Sequence, residues 1–279
     1  MSVLQAAVLG IVQGLTEFLP VSSSGHLILV PRLFGWADQG LSYDTMLHLG
    51  TLLAVLWFFR ASLVQLVRNL FSKTRETAEA ARTLVIQLIV CSLPALVLGY
   101  VLNDWIEHVS RKPWLVALDL AFWGLVLWYA DHVANKRDET STASSVELPQ
   151  LRWSQALIVA LAQPIALLPG SSRSGITMTA GLFSGLSRGA AARFSFLLSI
   201  PVTAAAGGYG LLKALTSASD VAASAPVTPV VLVVGFLAAL GSGIFAIRFL
   251  LSYVSRRRFT PFVVYRLLLA ALVVLLFVR

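Results

Sequence analysis

Long apolar runs separated by short, polar and mostly basic turns set the pattern of this chain. Six of them are long enough to cross a membrane as helices: about Leu41 to Arg60, Arg82 to Leu102, Pro113 to Asp131, Arg193 to Leu215, Thr228 to Ser252 and Pro261 to Arg279. A hydrocarbon core about 30 Å thick needs about 20 apolar residues per helical crossing, and these windows supply them. Two further apolar regions do not fit. Ser2 to Gly35 and Trp153 to Arg188 are each too long for one crossing, and each is broken near its middle by Pro, Ser and Gly. A break at membrane depth is tolerated only inside protein or beside a wet cavity, so both regions read as re-entrant helical hairpins.

The two broken regions resemble each other. "QAAVLGIVQGLTEFLPVSSSGH" from Gln5 can be laid over "QALIVALAQPIALLPGSSRSGI" from Gln155, pairing Gln13 with Gln163 and Gly25 with Gly175, while Pro20 and Pro169 fall one residue out of step. Each region is followed by three spans. An odd number of crossings brings the second copy in from the opposite face, the inverted-topology repeat of many transporters. The expected fold is an all-α polytopic membrane protein. It is a single integral membrane domain, 1–279, with repeat halves of about 1–131 and 153–279 and a polar linker over 132–152.

Composition agrees and narrows the function. Apolar residues make up 57% of the chain, charged residues 12%, and the mean hydropathy is +0.82, which excludes an ordinary soluble domain. The excess of 21 Lys and Arg over 13 Asp and Glu could suggest nucleic acid. These charges lie in short loops between spans, however, and no basic soluble domain exists to track a phosphate backbone, so no nucleic acid is expected. The lone Cys91 lies in an apolar run and offers neither a disulfide nor a thiolate metal site. "MSVLQAAVLG" lacks the basic start of a cleavable signal, so the first helix is expected to stay in the protein.

Basic residues also set orientation. Arg60, Arg68, Lys73, Arg75 and Arg82, then Lys136, Arg137 and Arg152, then Arg188 and Arg193, then Arg256, Arg257 and Arg258 all fall on one side; Arg32, Arg111, Lys112 and Arg279 fall on the other, where "TSASDVAASAPVT" carries none. The basic side is cytoplasmic by the positive-inside rule. The first hairpin then faces outward and the second enters from the cytoplasm.

Chemistry concentrates at the two breaks. Gln13 and Glu17 are four apart and share one helix face, and beyond Pro20 come Ser22, Ser23 and His26. The second break supplies "LPGSSRSGIT", with Arg173 flanked by Ser172, Ser174, Gly175 and Thr177. Backbone amides at such a turn form an anion nest, and a guanidinium adds a bidentate phosphate clamp. An anion clamp, a hydroxyl, an imidazole and a carboxylate suit phosphoryl chemistry, with Ser23 as nucleophile, Glu17 or His26 as proton carrier and Arg173 on the phosphate oxygens. The plainer readings are that any one of Ser22, Ser23 and Ser24 only bonds to backbone, and that Glu17 and Arg173 merely fasten two halves as a buried ion pair. His48, in "YDTMLHLGT", is either a helix contact or a wall of the site. Arg266, beside Tyr265, reads as structural, and His108 and His132 carry no role.

With Gln13, "EFLPVSSSGH" and "PGSSRSGIT" resemble the two signature motifs of the bacterial undecaprenyl-diphosphate phosphatase family, the one associated with bacitracin resistance. The resemblance runs over essentially the whole chain, including "YDTMLHLGT" and "PFVVYR". It implies hydrolysis of the C55 polyprenyl diphosphate to the monophosphate carrier used for cell-wall precursors, in the bacterial cytoplasmic (inner) membrane, with an active site opening to the periplasmic side. It also implies Glu17 and Gln13 as the paired acidic or amide positions, Ser23 and His26 as nucleophile or proton carrier, and Arg173 as diphosphate clamp. Many relatives carry Glu where this chain has Gln13. An amide can bind a metal or a water but is no base, which leaves that function to Glu17.

The family is described as needing a divalent cation, Mg2+ or Ca2+, which Glu17 would help hold with substrate phosphates and water. Zinc lacks a second His or a Cys near the motifs. The same architecture could instead serve a secondary transporter or flippase of an anionic lipid headgroup. The Ser, Glu and His cluster, which simple anion binding does not require, favours catalysis. Phosphatidic-acid-type phosphatases share a Ser-Gly-His string, but their second signature has a histidine after Ser-Arg that "SRSGITMT" lacks. The expected partners are the polyprenyl diphosphate and the bilayer. A homodimer, flipping of the product, and a covalent phosphoserine against direct attack by water all stay open.

Overall fold

The computed structural model describes residues 1–102, 105, 112–140, 151–216 and 228–277. His108, Arg111, Arg279, linker residues 141–150 and most of the polar stretch before Thr228 lie outside them. The described residues are helical, with no strand among them: α1 (Val3–Phe18), α2 (Ser23–Leu33), α3 (Leu41–Phe58), α4 (Arg60–Leu70), α5 (Arg75–Val101), α6 (Pro113–Thr140), α7 (Trp153–Ala162) with a 3-10 turn Gln163–Leu167, α8 (Arg173–Phe183), α9 (Arg188–Thr216), α10 (Pro229–Val254) and α11 (Thr260–Phe277).

Five helices, α5, α6, α9, α10 and α11, are long and apolar enough to cross a membrane, and α3 with α4 makes a sixth candidate, bent by 66°. Five of the six expected spans are therefore present as single helices, and the expected span Leu41 to Arg60 falls on α3, a candidate only together with α4. Two boundaries differ. The basic stretch after Arg60 is helical, forming α4 and the first turns of α5, and α4 buries none of its residues. The expected linker from 132 begins inside α6, which continues to Thr140.

Small residues decide how closely these helices approach. A side chain at Gly10 would run into Gly235 and Ala238 of α10, and one at Gly14 into Ala239, Ser242 and Gly243. Glycines four apart on α1 thus face small residues four apart on α10, the contact that lets backbones touch where lipid supplies no hydrophobic drive. Gly50 brings α3 onto the same helix, 2.7 Å from Phe236 O at a notional Cβ. The apolar core runs between these elements, with Phe18 meeting Phe196 of α9 edge to face at 5.3 Å.

The two short hairpins, α1–α2 and α7–α8, repeat each other in detail. Gln5 Oε1 accepts from the Ser2 amide at 2.8 Å, and Gln155 Oε1 from the Arg152 amide at 3.0 Å, each closing the start of its helix. At the turns, Ser22 (φ 74°) and Ser172 (φ 70°) are the N-caps of α2 and α8, and they are the only non-glycine residues with positive φ among the described residues. Each seryl oxygen accepts from the amide of the glycine three positions on, Gly25 at 3.3 Å and Gly175 at 3.1 Å. The sequence pairing thus extends to an uncommon backbone conformation.

Candidate functional site

The two capped turns lie together, and one arginine joins them. Arg266 of α11 is fully buried and gives every guanidinium nitrogen to backbone carbonyls: Nε to Leu120, Nη1 to Pro20, and Nη2 to Asp119, Gly170 and Ser171 at 3.0–3.3 Å. Pro20 belongs to the first turn, Gly170 and Ser171 to the second. Carbonyls left bare by a broken helix are costly inside a membrane protein, and a guanidinium in its fixed fork satisfies several at once. Ser174 Oγ adds a second tie, donating to Leu19 O at 2.9 Å.

Between the turns sits Glu17, 7% exposed on the inner face of α1. Its Oε2 accepts from Gln13 Nε2 at 3.0 Å and from Ser23 Oγ at 2.7 Å, and its Oε1 from Arg173 Nη2. Arg173 is steadied by Thr203 Oγ1 of α9, which accepts from Nη1 at 2.9 Å. Ser23 and Arg173 are the first residues of α2 and α8, where helix amides are free to meet an anion.

Gln13, Glu17, Ser23 and Arg173 therefore form one cluster. Ser22 and Ser172 are the turn caps. Gly175 leaves room for the Arg266 guanidinium, which a Cβ there would meet at 3.0 Å. Thr177 turns away, to Arg173 O at 2.8 Å and Ser195 Oγ at 2.7 Å. His26 does not bond to Glu17. Its Nδ1 lies 2.7 Å from Ser22 O and its Nε2 2.6 Å from Tyr265 Oη, the latter a residue half-exposed on α11.

His48 is a wall of the site. A carbonyl only accepts, so the 2.7 Å bond to Asp44 O makes Nδ1 the donor nitrogen, and Nε2 points at Glu17 Oε2 at 3.6 Å. Three residues escaped the sequence reading. Tyr265 and Thr203 carry no signal beyond a polar atom on an apolar helix. Asp119 did carry one, as an acid within "WLVALDLAFW"; it is buried, and its Oδ2 has no hydrogen-bond partner.

Gln13 bears on metal binding. A carboxylate can only accept, so the amide nitrogen faces Glu17 and Oε1 turns away, buried and with no hydrogen-bond partner. A carboxylate, an amide oxygen and a hydroxyl are hard donors of the kind Mg2+ or Ca2+ takes. Among the described residues, no group of three His, Cys, Asp or Glu side chains could hold a metal. A cation here would need oxygens from substrate and water.

A helical membrane protein whose two broken hairpins bring a hydroxyl and an arginine onto one buried carboxylate belongs to the class that handles an anionic group. The sequence profile described as bacitracin resistance protein BacA matches residues 6–272. The chain is 42% identical over 278 residues to undecaprenyl-diphosphatase 2 of Stutzerimonas stutzeri, covering 99% of both chains. It is 44% identical over 279 residues to the undecaprenyl-diphosphatase of Moorella thermoacetica, covering 99% of this chain and 98% of that one. The chain belongs to the BacA bacitracin resistance family.

Proposed function

We infer that this protein is an undecaprenyl-diphosphatase, hydrolysing the lipid diphosphate to lipid monophosphate and inorganic phosphate. It thereby recycles the lipid carrier for cell-wall synthesis, which confers bacitracin resistance. One observation carries the chemistry: Ser23 Oγ donates to Glu17 at 2.7 Å while Arg173 holds the other oxygen of the same carboxylate. Nucleophile, base and cation are within reach of one another, which phosphoryl transfer requires and headgroup transport does not.

The diphosphate enters between the N-termini of α2 and α8, where Arg173 exchanges part of its hold on Glu17 for phosphate oxygens. Ser23 Oγ attacks the terminal phosphorus and passes its proton to Glu17. The anhydride P–O bond breaks and the lipid monophosphate leaves. Water then cleaves the phosphoserine, releasing phosphate and restoring Ser23. Tyr265 orients His26 beside the first turn. Glu17 would hold Mg2+ or Ca2+ with the substrate, Gln13 adding its Oε1 if its amide turned over, and the ion would neutralise charge on the diphosphate. The polyprenyl tail stays in lipid, passing out between helices.

The basic-side rule supports a cytoplasmic-membrane topology with the site opening outward, and the matched turns support an inverted repeat of the two halves. The test is phosphate release from a long-chain polyprenyl diphosphate by detergent-purified protein, with and without EDTA. EDTA-sensitive turnover is expected, falling by about 10²-fold or more in Ser23→Ala and Arg173→Ala. A phosphoenzyme trapped on Ser23 would confirm the covalent route. Folded, monodisperse wild type that releases no phosphate would overturn the enzyme reading.

A further inference from the structure

Away from the catalytic cluster, four helix ends enclose an open cavity of about 390 Å³, lined by Asn135 of α6, Arg188 of α9, Tyr253 of α10 and the turn residues Arg256, Arg257 and Arg258. None of the residues around Glu17 lines it. Its volume falls at the lower end of small-ligand sites, which run from about 300 to 1,000 Å³.

Basic residues at a helix end ordinarily mark only topology, and a topology signal needs no fixed shape. This wall has one. Asp131 is buried and uses both carboxylate oxygens to hold it: Oδ1 accepts from Arg188 Nε at 2.5 Å and Oδ2 from the Phe259 amide at 3.0 Å. Asp131 O takes Arg188 Nη2 at 3.3 Å. The start of α9 and the α10–α11 turn are thus both fastened to α6. Within the turn, the amides of Arg256 and Arg257 both donate to Tyr253 O, at 3.1 and 2.9 Å, fixing where the arginines leave the backbone.

The lining is one-sided chemically. Besides Arg188, which Asp131 already holds, it carries the exposed Arg256 and Arg257 next to Arg258, a phenol and an amide. Planar guanidiniums match the oxygens of a phosphate, and a phenol and an amide can add neutral donors. By the basic-side rule, this end of the bundle sits at the cytoplasmic surface, where anionic lipid headgroups are dense.

We propose that this cavity binds a phosphate group, presented there by the headgroup of an anionic phospholipid. It is separate from the diphosphate site and does not depend on that site's activity. Arg256 and Arg257 are exposed, so replacing both leaves the packed core untouched.

The experiment is native mass spectrometry of the full chain released from nanodiscs of phosphatidylglycerol and phosphatidylcholine, wild type beside Arg256→Gln/Arg257→Gln. Calorimetric titration with inorganic phosphate forms a second arm. Wild type is expected to retain phosphatidylglycerol, and the double variant to lose roughly tenfold or more in that affinity, the scale of lost charge-assisted hydrogen bonds. Its thermal midpoint and phosphate release should stay unchanged. Saturable inorganic phosphate binding, lost in the variant and without selective lipid retention, would keep the phosphate site and make its source the free anion. Equal lipid retention and equal phosphate binding in the two proteins would overturn the proposal.

Discussion

Ser23 and Arg173 occupy the same position in two matching turns, the first residue of α2 and of α8, and both side chains converge on Glu17. The repeat has put a hydroxyl in one copy and a guanidinium in the other. One carboxylate, contributed by the first copy alone, receives both.

Removing Arg173 leaves the Glu17 charge buried without its main partner. Arg173→Ala is expected to cost about 3–5 kcal/mol of stability as well as activity. Adding Glu17→Gln should return much of the stability and none of the phosphate release. Thermal unfolding in detergent beside a turnover assay separates the two effects; an Arg173→Ala protein as stable as wild type would refute the ion pair's role.

Arg266 should not tolerate lysine. A lysine keeps the charge but has three donors at one point, too few and too compact for five carbonyls spread over both turns and α6. Arg266→Lys is expected to lower the yield of monodisperse protein and the thermal midpoint by an amount close to that of Arg266→Gln. A midpoint near wild type for Arg266→Lys would show that charge alone suffices.

The seryl caps should prefer glycine to alanine. Ser22 and Ser172 combine positive φ with a side-chain cap. Glycine loses the cap but relieves the backbone, whereas alanine loses the cap and keeps the strain. Ser22→Ala and Ser172→Ala are each expected to cost about 1–2 kcal/mol, and the glycine variants a few tenths. Thermal midpoints of the four variants, ranked, decide it.

Gly14→Leu should separate α1 from α10. Its side chain would have to occupy space held by Ala239, Ser242 and Gly243. A loss of at least about 3 kcal/mol is expected, with Glu17 displaced and activity gone. Ile11→Leu, on the exposed side of the same helix, is the control and should be silent in both assays.

Hydropathy and length were enough to read the spans and hairpins, because the bilayer imposes both. They could not see α4 or the end of α6. "RASLVQLVRNL" and "NKRDET" are too polar to register as spans, yet both are competent to form helix in contact with water. Gln13, Glu17, Ser23 and Arg173 stood out as polar groups inside apolar runs. His48 could not be assigned, since its approach to Glu17 depends on how α3 docks against α1. Asp119 obeyed the same rule as Glu17 but lay outside any motif. Gly10 and Gly14 went unremarked because a small residue in an apolar run looks like any other until a partner helix is known.

The bend after Phe58 has a consequence for depth. Beyond it, α4 turns Val64 and Val67 outward, Phe71 is exposed just past its end, and Arg60 at the bend lies 4.7 Å over the ring of Trp57. An exposed helix with apolar and basic residues suits a headgroup plane, and Trp57 at the end of α3 with Arg60 at the start of α4 is a pair of the kind found at that level. From Phe58 back to His48, α3 runs about 15 Å at 1.5 Å per residue, about half the thickness of a hydrocarbon core about 30 Å thick. The site thus lies about half the thickness of a hydrocarbon core away from the bend, at a separation that the helix itself fixes. A lipid diphosphate must reach that depth to meet Glu17 whichever face it enters from, so the length of α3 between its bend and His48 sets how far a headgroup has to leave the surface.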